Sequence, residues 1–200
     1  MNRKGHWDSI YQSKSDEDMS WTLPEPLMSL KLIGEACSSG RVLDVGGGTS
    51  TLAEKLLDQG YEVIVLDISE AALERDRKRL GAKACDIRWI AADVTAAPDL
   101  ESCDVWHDRA VFHFLTSAAD RAAYRMVLEQ TVSVGGYAVI GTFTLDGSEK
   151  CSGLEVQRYD GQTLAAEVGP RFSLLKCEGE VHITPWGARQ TFQYSVFKHL

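Results

Sequence analysis

The sequence lacks any hydrophobic run that approaches the roughly 20 residues needed to cross a bilayer. The segment from Met1 to Asp8 is polar and charged, so we expect neither a membrane span nor a signal peptide. Basic residues are also scarce, with 21 Lys and Arg against 29 Asp and Glu. The resulting net charge of −8 argues against nucleic acid as a partner, because binding to phosphates requires clustered Lys and Arg.

Close cysteine pairs are missing as well. The five cysteines are far apart and odd in number, which is typical of reduced thiols in the cytoplasm rather than of a disulfide framework. No group of His, Cys and acidic residues has the spacing of a metal site, so we predict no metal. The 200 residues, 44% of them apolar and 25% charged, indicate one globular domain. We expect a cytoplasmic protein that is a monomer or a homodimer.

Short apolar segments rich in β-branched residues alternate with segments of helical periodicity between residues 41 and 144. This alternation predicts parallel βαβ units. Two further strands, at 172–183 and 190–198, are joined by a short turn and must run antiparallel. We therefore predict an α/β fold with a mainly parallel sheet and an antiparallel last strand. Within this single domain we expect an N-terminal arm or lid (1–23), a cofactor-binding core (24–144), and a substrate-side loop with a C-terminal hairpin (145–200).

A glycine-rich turn follows the first predicted strand, in the segment Asp44-Val-Gly46-Gly47-Gly48-Thr-Ser50. Glycines between a strand and a helix let a ligand approach the backbone and the helix N-terminus closely. Acidic residues end the next strands: Asp67 the second, Asp93 the third and Asp108 the fourth. All four carboxylates are therefore predicted to lie at the carboxyl edge of the sheet, where Asp67 is placed to bind the hydroxyls of a ribose.

Two classes of nucleotide-like ligand compete for this turn. A dinucleotide needs a binding site for its pyrophosphate, and this site usually has a third glycine where this chain has Thr51. The Asp44 carboxylate would repel a pyrophosphate and would instead attract an amino group. The charge therefore favours a nucleoside with an amino-acid tail, S-adenosylmethionine, over a nicotinamide dinucleotide.

At these residues the chain resembles the class I S-adenosylmethionine-dependent methyltransferases. The resemblance rests on four segments: 42–50, 63–69, 92–94 and 104–110. More narrowly, the chain is similar to a group of bacterial methyltransferases related to the mitochondrial lysine methyltransferase that acts on citrate synthase. That similarity rests on segments 6–11, 19–21, 108–115, 151–154 and 184–187. The resemblance implies a Rossmann-like class I methyltransferase fold with a seven-stranded sheet, S-adenosylmethionine as cofactor and S-adenosylhomocysteine as product.

The resemblance also implies a set of cofactor-binding residues. The glycines would pass under the methionine tail, and Asp44 would help to hold its amino group. Asp67 would bind the ribose, and Ile68, Asp93 and Val94 would contact the adenine. Trp21, together with Tyr11, would close over the cofactor from the N-terminal arm. The predicted cofactor-binding set is Trp21, Asp44, Gly46, Gly47, Gly48, Asp67, Ile68, Asp93 and Val94.

Methyl transfer is an in-line displacement that requires alignment of the nucleophile and exclusion of water, and an amine or hydroxyl acceptor also needs to lose a proton. The candidate bases are His107, Asp108 and His113. Since neighbouring side chains on a strand point in opposite directions, His107 and Asp108 cannot both face the site, and we favour Asp108. His113 lies in an apolar segment and is either a core residue or a substrate-facing base. We therefore predict Asp108 and His113 as catalytic residues.

Four residues are candidates for contact with the methyl acceptor: Cys151, Arg158, Tyr159 and Trp186. The Cys151 thiol follows the fifth strand, where such folds build the substrate wall, and the alternative is an inert thiol. Arg158 and Tyr159 form a candidate clamp for a carboxylate, or else a surface pair at a helix start. Trp186 either lines the site or packs within the hairpin turn.

We predict an S-adenosylmethionine-dependent methyltransferase that acts on a small molecule. The first alternative is a protein methyltransferase whose partner is a lysine-bearing segment. Two others are a NAD-dependent oxidoreductase and a domain that binds S-adenosylmethionine without catalysis. No nucleic acid or membrane is expected as a partner.

Overall fold

The computed structural model describes residues 3–96 and 100–200, so the first two residues of the predicted arm lie outside the described part. The helices are α1 (Arg3–Ser13), α2 (Leu27–Ala36), α3 (Leu52–Asp58), α4 (Glu70–Leu80), α5 (Ala118–Thr131) and α6 (Gly161–Val168). The strands are β1 (Arg41–Val45), β2 (Glu62–Asp67), β3 (Ile87–Ala91), β4 (Cys103–Arg109), β5 (Val132–Phe143), β6 (Lys150–Cys151), β7 (Leu154–Glu155), β8 (Phe172–Ile183) and β9 (Arg189–His199).

Seven of the strands form one sheet in the order β3-β2-β1-β4-β5-β9-β8. Strands β1 to β5 pair in parallel, and β9 is antiparallel to both β5 and β8. The predicted mainly parallel sheet with an antiparallel last strand is therefore confirmed. The direction in which the chain adds strands reverses between β1 and β4, and open α/β sheets bind their ligands outside the carboxyl ends of the strands at such a point.

The sheet is covered on both faces because its central strands are apolar on both sides. Along β1, Val42 faces a core that includes residues of α2, α3 and α4, whereas Leu43 faces a core that includes residues of α5 and α6. Both side chains are fully buried. This arrangement of helix, sheet and helix leaves the carboxyl ends of β1, β2 and β4 as an accessible edge.

The N-terminal arm is an ordered part of the fold. Helix α1 packs against α4, and Ile10 and Tyr11 join Met19 and Ala72 in a small apolar cluster. The Ser69 hydroxyl at the start of α4 donates a 2.7 Å hydrogen bond to the Asp8 carboxylate. The apolar residues of the arm are buried by this docking, which is why the segment folds as a helix despite its polar composition.

Two features go beyond what the sequence predicts. Strand β5 begins at Val132, before Gly135 and Gly136, because Val132 already pairs with Cys103 and the register then shifts between Cys103 and Val105. The predicted substrate-side part (145–200) contains the two-stranded hairpin β6–β7 besides the C-terminal hairpin, and its strands are too short to give a periodic pattern in the sequence.

A buried chain of hydrogen bonds connects α5 to β4. The Trp106 indole N–H donates to the Tyr124 hydroxyl at 2.7 Å, and that hydroxyl donates to the Asp108 carboxylate at 2.7 Å. All three side chains are fully buried. In a low-dielectric interior, removing one member leaves its neighbours without partners.

We expect Tyr124→Phe to lower the free energy of unfolding by about 1–3 kcal/mol, because Trp106 would lose its acceptor and Asp108 one of its donors. Denaturant unfolding measures the change. Tyr137→Phe, in a half-buried tyrosine of β5, is the matched control. Equal stability of the two variants would contradict the structural role of this chain of hydrogen bonds.

Candidate functional site

A cleft opens at the carboxyl ends of β1, β2 and β4, where the strand order reverses. The space between its walls, counted together with its open mouth, is about 860 Å³. One end is lined by four of the predicted cofactor residues, Asp67, Ile68, Asp93 and Val94. This end, which we call the nucleoside end, lies beyond β2 and β3.

The glycine turn after β1 forms the floor of the cleft, and its conformation requires glycine. Gly46 has a φ of +68°, and a Cβ at this position would lie 2.1 Å from Cγ2 of Val111. Gly48 has a φ of +55°, and a Cβ there would lie 2.4 Å from the Tyr11 hydroxyl. Gly46 lines the cleft with backbone atoms alone, and its role in binding a ligand stays a prediction.

Asp67 is the buried carboxylate of the nucleoside end, with 5% of its surface exposed. It accepts hydrogen bonds from the backbone N–H of Gly48 at 2.9 Å and of Ser69 at 2.8 Å. Burial is the dominant effect and raises the pKa of Asp67 to about 6, against the opposing effect of the two N–H donors. The carboxylate is thus fixed in position but incompletely solvated, which favours further donors from a ligand.

A smaller cavity lies beside the glycine turn, and Asp44 lines it together with Gly46 and Gly47. The Asp44 carboxylate is 2.7 Å from Nδ1 of His107, and Nε2 of His107 is 2.9 Å from the Ser29 hydroxyl. His107 and Ser29 therefore hold Asp44 beneath the turn. Trp21 and Arg109 line both cavities and connect the two spaces.

The prediction of Asp108 as a catalytic base is contradicted by its surroundings. Its side chain is 0% exposed and lines neither cavity. The carboxylate accepts hydrogen bonds from the N–H groups of Val111 and Phe112 and from the Tyr124 hydroxyl. Strand alternation turns His107, not Asp108, toward the smaller cavity. Asp108 is a structural carboxylate.

His113 is likewise a core residue and not a base in the cleft. Its ring is 0% exposed, lines neither cavity and packs between Phe114 and Phe143. Neither ring nitrogen has a hydrogen-bond partner in the described part of the chain. Burial, assisted by the positive charge of Arg109, lowers the pKa of His113 to about 3. The imidazole is therefore neutral and inaccessible.

Only one of the four predicted substrate residues reaches the cleft. Cys151 lines its wall, and burial raises the pKa of its thiol. Arg158 instead forms an ion pair with Glu149, and Tyr159 is buried against Phe112. Trp186 lies in the turn between β8 and β9 with 59% of its surface exposed. Arg158, Tyr159 and Trp186 are therefore corrected: none of them lines the cleft.

Most of the opposite end of the cleft, which we call the acceptor end, was not predicted from the sequence. It is lined by side chains from β4, β5, the β6–β7 hairpin, β9 and the N-terminal segment: Trp7, Trp21, Arg109, Phe114, Phe143, Cys151, Gln190 and Phe192. The rings of Trp7 and Trp21 lie edge to face at 5.7 Å, and Trp7 also contacts Phe114 at 5.1 Å. The two tryptophans in a polar arm were the available signal for this contact.

The residues present fit S-adenosylmethionine. Gly46 presents backbone without a side chain to the cleft, Asp67 and Asp93 lie beyond it at the nucleoside end, and Asp44 lies on the other side of the glycine turn. Carboxylates at both ends of the turn match a ligand with a ribose and an adenine on one side and an amino group on the other.

A family model described as a methyltransferase domain matches residues 42–135. The "eEF1A lysine and N-terminal methyltransferase" of Mus musculus is 24% identical over 139 residues, which are 68% of this chain and 20% of that protein. The chain spans about a fifth of the length of the curated relatives it matches.

Two solved structures share nearly the whole fold. One, reported with the conversion of a disulfide bond into a thioacetal group during echinomycin biosynthesis, has a TM-score of 0.82 and 19% identity, and the match covers 98% of this chain and 92% of that chain. The other is the 1,6-didemethyltoxoflavin-N1-methyltransferase of Burkholderia thailandensis, with bound 1,6-didemethyltoxoflavin and S-adenosylhomocysteine. Its TM-score is 0.72 with 17% identity, over 98% of this chain and 87% of that chain.

Two further findings concern the described residues alone. None of their helices combines the length and the apolarity that a membrane crossing requires. Their His, Cys, Asp and Glu side chains form no group of three or more that could hold a metal ion.

We expect Asp67→Asn to remove a pH-dependent part of the stability. Because the folded pKa of about 6 lies above the ordinary value of 3.8, the wild type is stabilised by this group at low pH and loses that stabilisation as the pH rises through 6. Between pH 4 and pH 7 the wild type should lose up to about 3 kcal/mol relative to the variant. Urea unfolding at several pH values measures the difference, with exposed Asp146→Asn as the control. A stability difference that stays constant with pH would refute the burial effect.

Proposed function

Because this chain carries a class I S-adenosylmethionine-dependent methyltransferase domain, we propose that it transfers the methyl group of S-adenosylmethionine to a small molecule held at the acceptor end of the cleft. The single observation that carries the proposal is the continuity of the cleft. The nucleoside end and the aromatic acceptor end form one space, and Gly46 lies on its floor between them. A ligand bound along the glycine turn would therefore point its reactive group toward the aromatic end.

The side chains of the nucleoside end and Asp44 of the smaller cavity have distinct tasks in this proposal. The Asp67 carboxylate accepts hydrogen bonds from the ribose hydroxyls, and Asp93 accepts one from the adenine amino group while Ile68 packs against the ring. Asp44, held by His107 and Ser29, binds the amino group of the methionine tail. Bound S-adenosylmethionine supplies an electrophilic methyl group on a sulfonium.

The acceptor end positions a nucleophile and excludes water. Phe114, Phe143 and Phe192 line it, and Trp7 and Trp21 extend the wall from the N-terminal segment. Besides Arg109, the ionisable side chains of the described residues that line the cleft away from the nucleoside end are Tyr11 and Cys151. Burial raises the pKa of both, so each stays protonated and is not suited to accept a proton from an acceptor. We therefore propose an acceptor atom that needs no general base, such as a thiolate, another anion or an uncharged nitrogen.

The N-terminal segment beside the cleft favours a small molecule over a lysine-bearing protein segment as the methyl acceptor. Helix α1 and Trp21 lie across the cleft, and Arg3 at the start of α1 contacts Asp93 at 3.5 Å and Asp120 at 2.6 Å. A long substrate would need an open groove where these residues lie. The protein-methyltransferase alternative, which the mouse relative's name suggests, is an outcome of the test below.

The remaining parts of the proposal concern the chain as a whole. We propose a cytoplasmic location, since the five cysteines are all free in the structure and two of them, Cys103 and Cys151, are buried thiols. The division into a lid at 1–23, a core at 24–144 and a substrate-side part at 145–200 remains a prediction, as does the monomer or homodimer.

We expect Asp67→Ala to weaken binding of both S-adenosylmethionine and S-adenosylhomocysteine by about 1–3 kcal/mol, because the ribose would lose charge-assisted hydrogen bonds. Isothermal titration calorimetry with these two ligands and NADH measures the effect. Asp86→Ala, in an exposed residue before β3, is the control and should leave all affinities unchanged.

Binding of NADH alone, or of none of the three ligands, would refute the proposed function. Transfer of labelled methyl to lysine peptides but to no member of a panel of thiols and small acids would instead support the protein-methyltransferase alternative.

A further inference from the structure

Arg109 is the positively charged side chain that joins the two cavities. It is the last residue of β4 and is half-buried, and it follows Asp108, whose side chain points to the opposite face of the sheet. Because side chains alternate along a strand, Arg109 lies on the same face as His107. The Arg109 side chain lines both the acceptor end and the smaller cavity.

The guanidinium group is held firmly by uncharged groups. Its Nη1 donates to the backbone carbonyl of Trp21 at 2.9 Å, and its Nε donates to the Tyr194 hydroxyl at 3.1 Å. Its Cζ lies 4.7 Å from the centre of the Phe192 ring. The Tyr194 hydroxyl in turn donates to Glu180 at 3.1 Å, so this carboxylate acts on Arg109 only through the tyrosine.

One edge of the guanidinium remains unused. Within the described part of the chain, Nη2 of Arg109 is buried and has no hydrogen-bond partner. An unpaired donor on a buried cation is costly, and a guanidinium is best satisfied by an oxyanion that accepts from two of its N–H groups. Two other arginines already have carboxylate partners: Arg3 pairs with Asp93 and Asp120, and Arg158 pairs with Glu149.

The surroundings of Arg109 indicate what carries the oxyanion. Two of its three contacts beyond β4, Phe192 and Tyr194, lie on β9, and Phe192 lines the acceptor end. The walls there are aromatic, with Phe114 and Phe143 facing the same space. A ligand that satisfies both features has an apolar body and one negative charge.

We propose that Arg109 binds a carboxylate of the methyl acceptor, and that the substrate class of this enzyme is small apolar carboxylic acids. This inference rests on the proposed methyltransferase function. A carboxylate could also come from the methionine tail of the cofactor, since Arg109 reaches the smaller cavity beside Asp44. The two sources predict different behaviour of one variant and can be separated.

The test begins with the wild-type chain saturated with S-adenosylhomocysteine, titrated calorimetrically with benzoate and phenylacetate and with their uncharged amides. We expect the acids to bind at least about tenfold more tightly than benzamide and phenylacetamide, since only the acids offer a carboxylate that can accept charge-assisted hydrogen bonds from the guanidinium. Arg109→Gln should abolish this preference, and Arg109→Lys should retain part of it. Arg158→Gln, which changes an arginine outside the cleft, is the matched control and should behave as wild type.

Whether Arg109 binds the carboxylate of the cofactor instead is tested with the Arg109→Gln variant. It is titrated with S-adenosylhomocysteine and with 5′-methylthioadenosine, which lacks that carboxylate. Unchanged affinity for both ligands supports the acceptor site. A loss for S-adenosylhomocysteine alone would overturn the proposal and assign Arg109 to the cofactor.

The proposal would also be overturned if no acid bound the wild type, if the amides bound equally well, or if Arg109→Gln kept the preference for acids. Thermal unfolding reports whether each variant folds. If Arg109→Gln does not fold, the comparison of acids with amides on the wild type decides the proposal. Failure of the wild type to bind S-adenosylhomocysteine would count instead against the proposed function.

Discussion

The shape of the cleft depends on the buried carboxylate of Asp108. Its two oxygens accept the N–H groups of Val111 and Phe112 and so fix the turn that follows β4. In that turn Ala110 adopts a left-handed conformation, with a φ of +72°, which costs about 1–3 kcal/mol for a residue other than glycine. The turn brings Val111 over Gly46, where it occupies the space of a missing Cβ. A residue expected to perform chemistry thus shapes the wall beside which the chemistry would occur.

The alternation of side chains along β4 divides structural from binding roles within three consecutive residues. His107 faces Asp44 and fixes the carboxylate beneath the glycine turn, whereas Asp108 faces the core and receives the hydroxyl of Tyr124. Arg109 returns to the cleft face and contacts β9. Strand β4 therefore fixes Asp44 through His107, contacts α5 through Asp108, and places the charge of Arg109 at the acceptor end.

The positions of three carboxylates at the sheet edge could be predicted from the sequence because each lies at or just beyond the end of its own strand. Asp44, Asp67 and Asp93 are recognisable from local patterns alone. Whether His107 or Asp108 faces the cleft depends on the register of β4 against β1, which pairs Asp44 with His107. Neither segment alone predicts that register. The acceptor end was missed because Trp7, Phe143 and Phe192 are distant in the sequence and meet only through the sheet order.

The position of β9 has a consequence for how the molecule assembles. Strands β1 to β5 pair with one another within residues 41–143. Strand β9 is the last strand in the chain, yet it lies between β5 and β8 in the sheet. Its pairing with β5 joins residues as far apart as Tyr137 and Lys198, so it cannot form until the C-terminal strand is present. During synthesis the half that resembles a nucleotide-binding fold can therefore be complete while the opposite wall of the cleft still awaits its last strand.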